Sequence, residues 1–235
     1  MWRMVRWVGV ACALAGAAWV VYEAASWPDV PALARENPRT TAFIEAWRAG
    51  RRAVGRDDRP RWAPVPYGAI SADLKRAVLV AEDINFFSHR GFENIEIKKA
   101  VREAWEEKEI PRGASTITQQ LAKNLWLSPS RNPWRKLKEA LLTRQLERSL
   151  SKRRILELYL NVAEFGDGIY GAEAAARHYF GKPAAALGAA EAAQLAASLP
   201  RPKTWNPRSG SPSYRRYVRA IERRMERAGF LRKEV

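Results

Sequence analysis

Three regimes of hydrophobic patterning divide the chain. Trp7 to Tyr22 is an uncharged apolar run that ends at Glu23, with Arg3 and Arg6 on its leading side. From Pro28 to Tyr67 no regular apolar period holds. Thr41–Arg48 fits a short helix, Arg51–Pro60 reads as a connection, and the prolines in Trp62–Tyr67 favour extended backbone. From Ser71 onward apolar residues recur at helical spacing, and no stretch alternates convincingly as a strand.

The helical regime can be read element by element. Leu74, Ala77, Val78 and Ala81 share a face, with Ser71 as N-cap, and this helix delivers Glu82 near its C-terminal end. Ile95–Glu109 is a helix with charged faces, broken by Pro111-Arg112-Gly113. Ala114–Asn124 and the apolar Leu125–Leu127 follow. Asn132 caps the next helix with Pro133 at its first position, and Leu137, Leu141, Leu142, Leu146 and Leu150 are expected inward. Ser151 caps Lys152–Leu160, with Ile155, Leu156 and Tyr159 inward; Glu173–Tyr179, Gly188–Leu199 and Tyr214–Ala228 complete the set. The expected class is mainly α. The glycines at 166, 168 and 171 are not a phosphate loop, because no strand precedes them and the Lys-Ser/Thr ending is absent.

The N-terminal run sets the compartment. It is slightly short for a spanning helix, but Met4 and Val5, with Arg6 snorkelling, bring it into range. Trp2, Trp7, Trp19 and Trp27 bracket it as an aromatic belt does, and the positive leading flank places the N-terminus in the cytoplasm. A cleaved signal peptide with small residues at Ala24–Ser26 is the competing reading, and both export the rest of the chain. The expected organisation is residues 1–27 as cytoplasmic tip and transmembrane anchor, 28–60 as juxtamembrane linker, and 61–235 as a globular domain.

Charge then narrows the partner. The 235 residues carry 41 Lys+Arg against 25 Asp+Glu, a net charge of +16, which suggests an anionic partner. Export makes nucleic acid an unsuitable one. Ten Lys/Arg against three Glu lie between Gly113 and Asn161, and eleven against three from Arg201 onward. Cys12 is the sole cysteine, so no intramolecular disulfide supports the fold.

Glu82–Gly91 places two carboxylates where helical periodicity stops, followed by two phenylalanines, a histidine and a glycine. A carboxylate at a helix C-terminus meets the negative end of the dipole, which raises its proton affinity. A solvated polar turn explains the same residues.

Gly113–Asn124, Gly-Ala-Ser-Thr-Ile-Thr-Gln-Gln-Leu-Ala-Lys-Asn, resembles the second signature block of the peptidoglycan glycosyltransferases, glycosyltransferase family 51. Glu82–Gly91 resembles the first block, Arg135–Glu139 the third, Lys152–Asn161 the fourth and Gly171–Lys182 the fifth. The five blocks occur in order over residues 62–207. Ser149–Lys152 spells Ser-x-x-Lys, but no Lys-Thr-Gly follows, so a stand-alone transglycosylase without a transpeptidase domain is expected. The resemblance implies a lysozyme-like helical domain with a smaller membrane-proximal lobe.

It further implies polymerisation of lipid II on the outer face of the cytoplasmic membrane, with inversion at the anomeric carbon and release of undecaprenyl pyrophosphate. Lipid II, the growing glycan strand, the membrane, and cell-division or elongation proteins are the implied partners. Glu82 is the implied base and Glu139 the second active-site carboxylate; locally, Arg135 at i−4 also makes Glu139 an ordinary ion pair. Lys123, Arg131 and Lys138 match the phosphate-contacting cations, with Arg135 and Lys136 in support. Gln119, Gln120, Ser115 and Thr116 are substrate-binding candidates, although Ser115 and Thr116 equally suit turn capping. Asp83 and His89 are expected to organise the first block. A divalent cation, Mg or Mn, bridging Glu139 or Asp83 to pyrophosphate is compatible with the sequence, which contains no dedicated metal cluster. Two other readings compete: a lysozyme-like hydrolase, since paired carboxylates also suit glycoside cleavage, and an anchored scaffold for anionic lipid.

Overall fold

The structure is a computed structural model, and it describes residues 2–92, 115–127 and 133–235. The predicted helix at Ile95–Glu109, its Pro-Arg-Gly break, the Asn132 cap and Arg131 lie outside the described residues.

Nine α-helices are described: α1 Trp2–Ala25, α2 Ala42–Ala53, α3 Ala72–Glu82, α4 Ile117–Trp126, α5 Pro133–Ser149, α6 Lys152–Val162, α7 Ala172–Phe180, α8 Ala189–Ser198 and α9 Pro212–Arg227. The mainly helical expectation matches. α2 runs past the expected Arg48 through Gly50 and the following arginines, because Thr41 caps its start and Arg51 and Arg52 sit favourably in its last turn. Residues expected in a linker contribute to packing: Val30, Leu33 and Ile44 are buried.

α3 is the central element. Ser71 Oγ accepts the Leu74 N–H at 3.0 Å, so the expected cap forms. Leu74 through Val80 are all buried, against α8 and α9. Even Lys75 and Arg76 are enclosed: the Lys75 ammonium sits 3.8 Å from the Tyr67 ring centroid, and Arg76 donates to the Met225 carbonyl. A helix locked on every side fixes the position of the residue at its end, Glu82.

α5 corrects one expectation. Leu142, Leu146 and Leu150 point inward, but Leu137 and Leu141 are exposed. At 3.6 residues per turn, Glu139, Leu142, Thr143 and Leu146 share one face, which leaves Leu137 and Leu141 on another. The buried face therefore carries a carboxylate where the leucine count suggested an apolar stripe.

Strands are also present, contrary to the sequence reading. β1 (Arg61–Trp62), β2 (Glu164–Gly166) and β3 (Ile169–Tyr170) form a sheet in the order β1-β3-β2, with Arg61 opposite Ile169 in parallel and Glu164 opposite Tyr170 antiparallel. Strands of two or three residues are too short to show alternation. The hairpin leads to Gly171 at φ +82°, where a Cβ would lie 2.7 Å from the Asn161 carbonyl oxygen, so only glycine fits between α6 and α7.

α1 docks its C-terminal end on α5. Lys138 Nζ donates to Glu23 Oε2 at 2.7 Å, Trp134 Nε1 to Glu23 Oε1 at 3.2 Å, and the Trp19 and Trp134 rings meet edge-on at 4.6 Å. Trp7, Val10, Leu14, Val20 and Val21 are exposed. Among the described residues no helix is long and apolar enough to cross a membrane.

Candidate active site

The end of α3, the start of α4 and the buried face of α5 converge on Glu82. Gln120, on the first turns of α4, donates through Nε2 to Glu82 Oε2 at 2.7 Å. Its Oε1 accepts the Tyr159 hydroxyl at 3.0 Å. Tyr159 is buried, and burial together with the nearby Glu82 and Asp83 charges pushes its ionisation well up, so it remains a donor. Tyr159 to Gln120 to Glu82 is thus a one-directional chain of hydrogen bonds. Burial raises the Glu82 pKa and the adjacent Asp83 charge adds to this; the Gln120 hydrogen bond and the Lys123 charge act the other way.

Asp83 does a different job from its neighbour. Its buried carboxylate accepts the Ile117 N–H at the start of α4 (3.0 Å) and His89 Nε2–H at 2.9 and 3.1 Å. His89 Nδ1 in turn accepts the Gly91 N–H at 3.0 Å, which fixes the tautomer. Thr116 Oγ1 donates to the Gly91 carbonyl at 2.7 Å. The first and second blocks are therefore stitched into one unit by Asp83, His89 and Thr116. Gly91 sits at φ +87°, and a Cβ there would come within 2.8 Å of the Thr143 methyl, so α5 closes over this unit.

Thr116 and Gln119 form a reciprocal capping box on α4: Gln119 N–H to Thr116 Oγ1 at 3.3 Å, and Thr116 N–H to Gln119 Oε1 at 2.9 Å. Both side chains are committed to the helix start. Ser115 is exposed beside them, and its carbonyl also receives Gln120 Nε2 at 3.4 Å.

Lys123 is the cation brought to both carboxylates. Burial lowers its pKa, as do the charges of Arg135 and Lys136, while Glu139 and Glu82 raise it. Glu139 is buried and paired with Arg135 (3.3 Å) and with Lys136, so the i−4 pair read from the sequence exists, on a buried face. Lys138 is not brought to Glu82: it pairs with Glu23 and lies over the Trp27 ring.

A divalent ion does not suit these carboxylates. Both Asp83 oxygens face N–H donors, and Glu139 faces two cationic heads. Among the described residues no group of three or more His, Cys, Asp or Glu is placed to hold a metal.

A cleft of about 450 Å³ opens beside the site, lined by Gln120, Lys123 and Tyr159 on one wall and by Arg201, Lys203 and Thr204 on the other. The second wall was not singled out from the sequence, because Pro200–Thr204 carries no motif and only folding brings it opposite α4. Tyr217 was missed for the same reason: it lies on α9, donates to the Ala81 carbonyl at 3.3 Å, and is held protonated by burial and by Glu82.

Arrangements of this kind can take a proton at Glu82 while presenting a cation at Lys123 to a departing anion. Comparison with known proteins identifies the family. A family model described as Transglycosylase matches residues 51–226. A protein of Methylobacillus flagellatus named biosynthetic peptidoglycan transglycosylase is 47% identical over 82% of this chain and 84% of its own. Proteins of the same name from Thiobacillus denitrificans and Laribacter hongkongensis are 46% and 43% identical, each over 94% of this chain and over 95% and 97% of their own. By its sequence over most of its length, this chain belongs to the transglycosylase family.

Proposed function

We propose that this protein polymerises lipid II into peptidoglycan glycan strands, a reading in keeping with its relatives' name, biosynthetic peptidoglycan transglycosylase. The observation that carries the reading is the pairing of a carboxylate of raised proton affinity, Glu82, with a partly buried cation, Lys123, that feels the charge of both Glu82 and Glu139. In the reaction, the acceptor sugar hydroxyl attacks the anomeric carbon of the lipid-linked donor. The new C–O bond forms as the bond to the pyrophosphate oxygen breaks, so the anomeric centre inverts. Glu82 takes the hydroxyl proton, and undecaprenyl pyrophosphate leaves with the bonding electrons.

Each role follows from the surroundings. A carboxylate pushed upward by burial is a better base near neutral pH than an exposed one. Lys123 lies where charge develops on the pyrophosphate, and a desolvated cation stabilises such charge more than a solvated one. The negative charge of Glu139 favours the protonated form of Lys123, against the effect of burial. Arg135 and Lys136 extend the positive field. A hydrolase of neutral glycosidic bonds has no use for this cluster. Purified full-length protein given lipid II in detergent should yield long glycan polymer; shortening of preformed glycan without polymer would overturn the reading.

We also infer that α1 attaches the domain to the membrane, at the outer face of the cytoplasmic membrane. Its exposed Trp7, Leu14, Val20 and Val21 support this, as does the docking of its end on α5 near the Lys123–Glu139 cluster. Full-length protein should stay in the membrane fraction after alkaline carbonate extraction, and release into the supernatant would exclude a spanning anchor.

A further inference from the structure

A second cavity, of about 490 Å³, lies beyond the cleft and is lined by Arg51, Arg59, Arg61, Lys203 and Arg208 against only two carboxylates, Asp57 and Asp167. None of the four arginines belongs to a signature block. Lys203 lines both cavities, so the second continues the first away from Glu82.

The two carboxylates do not neutralise it. Asp57 is held by Arg59, through Nε to Oδ1 at 3.0 Å and NH2 to Oδ2 at 3.2 Å. Asp167 accepts the Trp47 indole N–H at 3.0 Å. Arg51 donates to the Asp57 carbonyl at 2.9 Å and lies over the Trp47 ring, and Arg208 donates to the His178 carbonyl, also at 2.9 Å, and lies over the Tyr179 ring. Arg61 is bonded to His178 Nδ1. Burial and the Arg208 and Arg61 charges lower the His178 pKa, which favours the neutral ring. Among the described residues Lys203 donates no hydrogen bond and acts on Glu164 through charge alone. Among the described residues the cations at Arg51, Arg61, Lys203 and Arg208 form no ion pair with a carboxylate, and a cluster of like charges costs self-repulsion unless an anion relieves it.

We propose that this cavity binds carboxylate groups on the peptide branches of the glycan strand, gripping the polymer beyond the reaction centre. The inference rests on the proposed function, which supplies a polymer whose sugars carry such branches. Guanidinium groups match carboxylates in charge and in fork geometry. Continuity with the cleft through Lys203 places the grip along the strand's path.

The test uses full-length protein in detergent and soluble glycan oligomers, either bearing their peptides or stripped of them by an amidase, with the sugar-borne carboxylates that the cleavage leaves capped as methyl amides. Wild type should bind the peptide-bearing oligomers roughly five-fold or more tighter than the stripped ones, the scale of a few partly solvated ion pairs. The double variant Arg51→Gln/Arg208→Gln should lose that preference, and Arg51→Lys/Arg208→Lys should retain part of it, which separates charge from folding damage. Both variants should still couple two lipid II molecules, with the Gln pair giving shorter products. Equal binding of the two oligomers by wild type, or an unchanged preference in the Gln variant, overturns the proposal, as does a loss confined to binding of phosphatidylglycerol vesicles. Absence of any polymer from wild type would instead sink the proposed function, so the two failures are distinguishable.

Discussion

Gln120 Nε2 donates a 2.7 Å hydrogen bond to Glu82 Oε2, joining the second turn of α4 to the last residue of α3 across 38 positions of sequence. Because the Gln120 carbonyl is itself held by Tyr159, the amide has one orientation. The donor stabilises the ionised carboxylate and so opposes burial. Removing it should raise the Glu82 pKa further. Gln120→Ala is expected to move the acidic limb of the kcat/KM pH profile to higher pH, and Tyr159→Phe to move it the same way by less. The double variant should match Gln120→Ala alone; additive shifts would mean that the two residues act separately.

Replacing Glu82 by Gln should separate activity from stability. Loss of a general base lowers kcat by about 10²–10⁴. The carboxyl's folded pKa lies above its unfolded value, so the folded state holds this proton more tightly. Stability is therefore unaffected below the unfolded pKa and falls as pH rises through the folded one. Glu82→Gln has no such loss. Its Tm should equal wild type in acid and exceed it at neutral pH, as read by thermal melts across that range.

Glu139→Gln tests the second carboxylate. Losing its charge withdraws support from the Lys123 ammonium, whose pKa then falls. The alkaline limb of the rate profile should move to lower pH. Arg135 and Lys136 each lose an ion pair as well, at a stability cost of about 1–3 kcal/mol. A profile whose alkaline limb does not move would detach Glu139 from Lys123.

Asp83 and Gly91 should behave as structural residues. In Asp83→Asn one acceptor oxygen becomes a donor facing N–H groups at Ile117 or His89, which should cost about 1–3 kcal/mol. Gly91→Ala forces a side chain into positive φ against the Thr143 methyl and should cost about as much. Denaturant melts should show both losses. For either variant, activity should recover at low temperature, where the remaining stability suffices; persistent inactivity in a folded protein would assign that residue to the chemistry.

Helix caps, the class of the fold and the family were legible from sequence because they rest on local patterns. Ser71 and Ser151 sit where capping chemistry demands, and each cap forms. The five blocks are contiguous strings. What they left open was the use of each residue. Thr116 and Gln119 cap α4, Gln120 reaches Glu82, and Lys138 turns to Glu23, although all four lie in or beside signature blocks.

The sequence by itself determined that helices form, where they start, and that an acidic pair and a basic cluster accompany one another in one chain. Those are properties of neighbours in sequence. Tertiary structure alone decided which acid of the pair is raised in pKa and which is consumed, because Glu82 and Asp83 leave adjacent backbone positions toward different surroundings. One meets an amide and a lysine in a desolvated cleft; the other meets a helix start and an imidazole. It also decided that the inward face of α5 presents Glu139, since helical phase depends on what the helix packs against. The cationic cavity of Arg51, Arg61 and Arg208 is likewise a product of folding: its members are spread over more than half the chain, and only the packing of α2, β1 and the segment after α8 sets them around one space.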